Sequence, residues 1–382
     1  MHYRTFGRIA WRPSALGFGA MRLPTCGNDR TKIDEPLATR MIRTAIDAGV
    51  NYVDTAWPYH GGESEPFIGR VLEDGFRDRV KLATKLPSWL VARPEDMDHY
   101  LGEQLRRLGT DRIDFYLLHG LNRERWDTLR SLDVLTWGER AIADGRIGHL
   151  GFSFHDDLAV FKEIVDAHDW TFCQIMYNYM DIGFQAGEEG LKYAAERGLA
   201  VVVMEPLRGG QLTCPPPPQV AEIWDRFPTR RTPADWALQW VWNHPEVSLA
   251  LSGMSAMAHV EENLVSAARS GVGSLGPKEL DLIAEVRDAY RTLRPIPCTT
   301  CGYCQPCPEG VDIPRVFSIF NDLAMYGDTR RAAMSYHRFL DAAARADRCV
   351  GCGTCERNCP QQIRIIDWLK KVHARLAALS PD

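Results

Sequence analysis

Asp54, Tyr59, Lys85 and His119 are residue types that, brought together, can move a proton onto or off an oxygen atom. An oxygen atom that develops negative charge during a reaction needs a proton there. A phenol can supply it, but an isolated phenol has a pKa near ~10 and is poorly matched to neutral pH. An ammonium beside the phenol favours the phenolate and lowers that value. A carboxylate keeps the ammonium charged and in place. An imidazole can donate a hydrogen bond to the substrate oxygen or relay a proton. Taken singly, each residue has a plainer explanation: Asp54 as a turn former, Lys85 as a solvated lysine, His119 as a satisfied strand-end imidazole.

A repeat of strands and helices is what would gather them. Residues 51–53 read as a short strand ending at Asp54, with Tyr59 on a turn containing Pro58 just beyond. Strands over 80–85 and 113–119 end in Lys85 and His119. The alternation runs through residues 1–294, with helices expected over 36–48, 63–73, 94–108, 126–143, 157–167, 190–197, 233–243 and 257–268. Further strands are expected over 15–19, 147–153, 171–177, 199–204 and 247–252. About eight βα units with nearly continuous apolar strands imply an α/β fold, a closed (β/α)8 TIM barrel of about 250 residues. Such barrels carry their chemistry at the C-terminal ends of the strands. An open doubly wound sheet would want a Gly-rich phosphate turn after its first strand, and Leu16-Gly17-Phe18-Gly19-Ala20-Met21 lacks the third glycine.

Residues 208–231 form an insertion with a proline run, Pro215 to Pro218, expected as a stiff spacer or as a flap over a ligand. Residues 278–293 read as an extra helix closing the barrel domain, and Arg294-Pro295-Ile296-Pro297 as a hinge. The domains expected are therefore a barrel over 1–294 and a small, mainly helical unit over 295–382. The chain has 382 residues and a net charge of −5, which offers no electrostatic argument for nucleic acid or an anionic membrane. No apolar run approaches the ~20 residues of a membrane span, and the start lacks the apolar core of a signal peptide. A cytoplasmic location is expected.

The peptides Asp54-Thr55-Ala56-Trp57-Pro58-Tyr59, Ala83-Thr84-Lys85, Leu117-Leu118-His119 and Gly151-Phe152-Ser153 resemble the aldo-keto reductase family over roughly residues 1–270. The resemblance implies a (β/α)8 barrel that passes hydride between a nicotinamide cofactor, NADP or NAD, and a small carbonyl or alcohol. Its catalytic tetrad falls on Asp54, Tyr59, Lys85 and His119. Cofactor contacts would fall on Ser153 and Gln174 at the carboxamide, on Leu207 and Gly209, and on Ser255, His259, Glu262 and Asn263 near the adenosine phosphate. Phe154 stands where an asparagine is usual, Glu205 where an aromatic is usual, and His259 where a basic residue reads the 2′-phosphate. Trp57 and Trp89 follow the strands carrying Asp54 and Lys85, so they could wall a substrate pocket or simply pack the rim.

Eight of the eleven cysteines crowd the last quarter, which in a cytosolic chain points to metal rather than disulfides. Cys349, Cys352, Cys355 and Cys359 follow the C-x2-C-x2-C-x3-C-P spacing of bacterial ferredoxins. Cys298, Cys301, Cys304 and Cys307 form a run one residue shorter before its last cysteine. Zinc ribbons rarely pack three Cys-x2-Cys steps into one loop, so two [4Fe–4S] clusters are expected. The ferredoxin pattern implies Cys298, Cys301, Cys304 and Cys359 on one and Cys349, Cys352, Cys355 and Cys307 on the other. Val316, Ile319, Phe320 and Leu323 mark one helix of this ferredoxin-like unit, residues 332–344 continue helical, and Ile365, Leu369, Val372 and Leu376 mark a closing helix.

Hydride moves two electrons and each cluster moves one, so three readings arise. In the first, a nicotinamide-dependent reductase carries clusters that are structural, a redox sensor or a docking module. In the second, the clusters exchange electrons with a redox partner protein or an unrecognised cofactor. In the third, non-enzymatic one, the barrel is a retired scaffold for the ferredoxin unit, against which the retained tetrad argues.

Overall fold

The computed structural model describes residues 1–27 and 29–380, which fall into two compact units. The first comprises Met1–Gly209 and Arg231–Pro277. Its eight parallel strands are β1 (Leu16–Gly19), β2 (Tyr52–Asp54), β3 (Lys81–Leu86), β4 (Ile113–Leu121), β5 (Ile147–Phe154), β6 (Phe172–Met176), β7 (Ala200–Met204) and β8 (Val247–Ser252). They close in chain order into a barrel, β8 pairing with β1 through Leu16 and Ala250.

Strand side chains alternate between the two faces of a sheet. Tyr52, Ala83, Phe115, Leu117, Phe172, Ala200, Val202, Leu249 and Leu251 make one buried cluster inside the barrel, so alternate residues on each strand point inward. The floor is closed by the chain start. Phe6 packs within 4.8 Å of the Phe115 ring centroid, on a hairpin whose Gly7 has φ 52°. A Cβ at Gly7 would stand 2.6 Å from Ala200 N, so no side chain fits there.

Helices follow from local signals. Asp34 caps Glu35–Asp47 by accepting from Leu37 N, and Met41, Ile42 and Ala45 bury its apolar stripe. The single helix expected over 126–143 is two, Arg123–Ser131 and Val134–Ala143. Asp133 between them takes the left-handed conformation (φ 59°) that an Asp tolerates and that apolar periodicity does not reveal.

The second unit comprises Gly210–Arg230 and Lys278–Asp382, the final two residues lying outside the described ones. The boundary therefore differs from the one read in the sequence. Helix Pro277–Thr292 belongs, but for Pro277, to this unit, its Tyr290 ring 5.0 Å from that of Tyr326. The proline run also differs from a plain spacer. Pro218 starts a helix, Pro218–Asp225, at the first-turn position where a missing N–H costs nothing. The unit's core gathers Val316, Phe317 and Ile319 of helix Ile313–Tyr326 with Ile365, Leu369, Val372 and Leu376 of helix Ile365–Ala377. Between them the expected continuous helix is a series of short pieces, Thr329–Met334, Ser335–Phe339 and Ala342–Ala344. No helix among the described residues is long and apolar enough to cross a membrane.

Candidate active site

The inward alternation carries upward. Asp54 lies two residues above Tyr52, Lys85 two above Ala83, His119 two above Leu117 and Gln174 two above Phe172. Ser153 is paired in register with Gln174. All five side chains therefore enter the barrel at the C-terminal ends of their strands.

Lys85 is fully buried and Asp54 is 2% exposed. The Lys85 ammonium donates to Asp54 Oδ1 at 2.6 Å, to the Thr55 carbonyl at 2.8 Å and to the Tyr59 hydroxyl at 3.4 Å. Burial alone would lower the lysine pKa, yet Asp54 and Tyr59 outweigh it and hold the group above its ordinary value. Burial pushes the Asp54 carboxyl up, opposed by Lys85. The direction that decides function is that of the lysine, which stays an ammonium.

Tyr59 departs from the simple expectation. Burial is the largest influence on its phenol and raises the pKa, and the Lys85 ammonium offsets this only in part. The lysine limits a rise rather than producing a fall. Tyr59 opens a tight turn, Tyr59–Gly62, in which His60 takes φ 54°. His60 pins that turn to Leu23 and Arg30. Its Nε2 accepts from Leu23 N (3.2 Å), which leaves Nδ1 to donate to the Arg30 carbonyl (2.7 Å).

His119 lies edge-on to Tyr59, with ring centroids 6.2 Å apart, and Trp89 covers it at 5.1 Å. Burial, then the nearby Lys85 charge, drive its pKa well below the usual histidine value. Its Nδ1 is buried with no hydrogen-bond partner among the described residues. Trp57 turns elsewhere, edge-on to Tyr100 and under the Arg107 guanidinium at 3.7 Å.

Of the cofactor positions, Ser153 and Gln174 are buried side by side. Ser153 Oγ accepts from Gly120 N at 2.7 Å, and Gln174 Oε1 has no partner among the described residues. Leu207 and Gly209 lie beyond β7, flanking Arg208, which is paired with Asp181 at 2.8 Å. Past β8, Ser255 and His259 are exposed, and Ser255 N donates to His259 Nδ1 at 3.4 Å. Asn263 is buried and donates to Ser252 Oγ at 3.0 Å, while Glu262 accepts from the Thr232 hydroxyl.

A polar set on the outer side of β3 has no counterpart in the sequence reading. Glu65, Thr84, Gln104 and Tyr116 are all fully buried. Glu65 Oε1 accepts from Thr84 (2.7 Å) and from Gln104 Nε2 (2.6 Å). Gln104 also donates to the Lys85 carbonyl at 3.0 Å and accepts from Tyr116 at 2.7 Å. Residues 65, 84, 104 and 116 share no local pattern; only the outward parity of Thr84 on β3 and Tyr116 on β4 hinted at contact with helices.

In the second unit, one cavity is lined by Cys307, Cys349, Cys352 and Cys355 together with Ile313, Ile366 and Leu369. Burial pushes the Cys298 thiol up, with added contributions from Cys301 and Cys359 that place these near it. Cys298, Cys304, Cys307, Cys349 and Cys359 pack against the unit's apolar core. Among the described residues no three His, Cys, Asp or Glu side chains converge as ligands of a single ion.

Residues 15–271 match the profile of the Aldo/keto reductase family, and residues 297–363 that of a 4Fe-4S dicluster domain. Among characterised relatives, 6-dehydroglucose reductase of Novosphingobium aromaticivorans is 28% identical over 284 residues, 68% of this chain and 88% of that protein. L-Galactose dehydrogenase of Arabidopsis thaliana is 26% identical over 293 residues, 72% of this chain and 89% of that one. The holo form of aldo-keto reductase AKR11C1 from Bacillus halodurans superposes with a TM-score of 0.63 at 27% identity, covering 75% of this chain and 96% of that chain.

Proposed function

We infer the reaction from a plain premise: the chain belongs to the Aldo/keto reductase family, is an NAD(P)-linked oxidoreductase, and carries a C-terminal 4Fe-4S dicluster domain. Its substrate is a small carbonyl or alcohol, and Tyr59 is the general acid in reduction and the general base in oxidation. The observation that carries this reading is the Lys85 ammonium, wholly buried and bonded at once to Asp54, Thr55 and Tyr59.

The nicotinamide, when bound, supplies or takes up the hydride. Tyr59 gives the proton to the oxygen that gains charge. Lys85 stabilises the phenolate left behind, by an interaction that strengthens as that charge forms. Asp54 holds the ammonium charged and aimed. His119 is neutral at physiological pH because its pKa is depressed, so it donates a hydrogen bond to the substrate oxygen rather than relaying protons as an imidazolium. Its unpartnered Nδ1 fits a group that completes its bonding with a ligand.

The residues present fit a nicotinamide. The orphaned Gln174 Oε1 is a buried acceptor suited to a carboxamide N–H, with Ser153 beside it. Leu207, Gly209, Ser255, His259, Glu262 and Asn263 would hold the remainder, and Trp89 would wall the substrate side with Trp57 on the rim.

In the second unit the donor set fits two [4Fe–4S] clusters. In a cubane each thiolate binds its own iron, so the four ligands surround a cavity instead of converging on one point. The cavity lined by Cys307, Cys349, Cys352 and Cys355 supports one ligand set, and the proximity of Cys298 to Cys301 and Cys359 supports the other, completed by Cys304. A second reading, electron exchange with a partner protein, is favoured by Tyr303 and Val350, which stand exposed within the two cysteine runs.

The test is anaerobic purification with iron and sulfide analysis, followed by mixing with NADPH. Carbonyl reduction without bleaching of the clusters supports the reductase with structural or sensing clusters. Reduced-cluster EPR signal appearing within turnover time supports the electron-transfer reading.

A further inference from the structure

The Lys85 ammonium reaches Tyr59 at 3.4 Å, the outer limit of a hydrogen bond, so its placement leaves little slack. Three bonds from outside the barrel fix the two strand ends that carry it. The carbonyl of Lys85 itself accepts from Gln104 Nε2, and the preceding Thr84 hydroxyl donates to Glu65. On β2's side, the Thr55 carbonyl accepts from the ammonium while the Thr55 hydroxyl bonds Ser64 at 2.9 Å. Ser64 and Glu65 begin one helix, Ser64–Val71, and Gln104 belongs to another, Pro94–Leu108.

Glu65 organises this set. Its Oε1 receives both Thr84 and Gln104, and its Oε2 is 3.4 Å from Arg107, which lies over Trp57. Gln104 cannot turn freely. Tyr116 donates to its carbonyl, so its amide nitrogen faces Glu65 and the Lys85 carbonyl. A fully buried carboxylate is costly unless bonded this way, which makes the set close to all-or-none.

We propose that Glu65 and Gln104 are positioning residues for the catalytic lysine: from the outer face of the barrel they fix the end of β3, and through it the distance from the Lys85 ammonium to the Tyr59 hydroxyl. The proposal rests on the reading that Lys85 favours the Tyr59 phenolate. Both side chains are fully buried on helices outside the barrel.

The test reads Tyr59 directly. Protein carrying 13Cζ-tyrosine is titrated by NMR, with Tyr59→Phe assigning the signal, and thermal unfolding is followed in parallel. Lys85→Met is the control for the underlying reading. It raises the Tyr59 deprotonation midpoint, and an unmoved midpoint in that variant overturns the reading itself. Gln104→Leu raises the midpoint by about half a pH unit or more. The double variant Glu65→Gln with Gln104→Glu separates placement from stability. It remakes the bond between positions 65 and 104, so it regains part of the melting temperature lost in Gln104→Leu. It leaves the Lys85 carbonyl without its donor, so the Tyr59 midpoint stays raised. Tyr116→Phe, which removes one bond and no volume beyond an oxygen, gives a smaller shift in the same direction and serves if the larger changes impair folding. A midpoint that returns to its starting value in the double variant, or that none of these variants moves while Lys85→Met does, overturns the proposal.

Discussion

Lys85 is fully buried and bonded three times to the protein itself, whereas Cys301 and Cys352 are exposed thiols on loops in the second unit. Around the lysine, the strand ends, the turn that carries Tyr59 and two helices supply the restraints. Around the cysteines the chain runs in short turns and one-turn helices, and Cys307, Cys349, Cys352 and Cys355 line the cavity together with apolar side chains and glycines. The barrel thus prepares its reactive groups in advance. The cysteine unit gathers groups whose final geometry must come from what they bind, because thiolates held near one another repel until a metal neutralises them.

If this contrast is sound, the largest effect is on the second unit. Removing iron under anaerobic conditions is expected to abolish its cooperative unfolding and expose it to protease, while the barrel keeps its own transition. Two separately monitored melting curves that respond equally would erase the distinction.

Next is the buried ion pair. Asp54→Leu strands the Lys85 ammonium without its partner and is expected to cost about 3–5 kcal/mol, read as a lower denaturant midpoint at unchanged slope. Cys352→Ala, at an exposed thiol, is expected to move the barrel transition by less than about 0.5 kcal/mol.

Smallest is a pH effect confined to the barrel. His119 has a folded-state pKa depressed well below the unfolded value of about 6.5. Below that value the unfolded chain takes up a proton that the folded one refuses, so stability falls as pH drops. His119→Gln is expected to flatten the decline in melting temperature between pH 7 and 5. An unchanged slope would mean the imidazole is not held neutral.

Much of this was legible in the residues. Strand-end polar groups on a βα repeat located Asp54, Lys85 and His119, because strand parity and barrel topology leave few other places for them. The cysteine spacings located the second unit. What stayed hidden depends on distance through space. Burial outweighs Lys85 at the Tyr59 phenol, a balance no motif encodes. Glu65 and Gln104 lie 39 positions apart, on two separate helices that nothing in the sequence pairs. Helix Pro277–Thr292 was placed with the barrel because nothing local announces that Tyr290 meets Tyr326.

The central claim is that Tyr59 protonates the substrate oxygen. Single-turnover oxidation of bound NADPH by an aldehyde that the wild type reduces tests it most directly, with NADPH affinity measured by fluorescence on the same samples. Tyr59→Phe is expected to slow the step by about 10²-fold or more while affinity stays within about twofold. Equal rates in the two proteins would contradict the account.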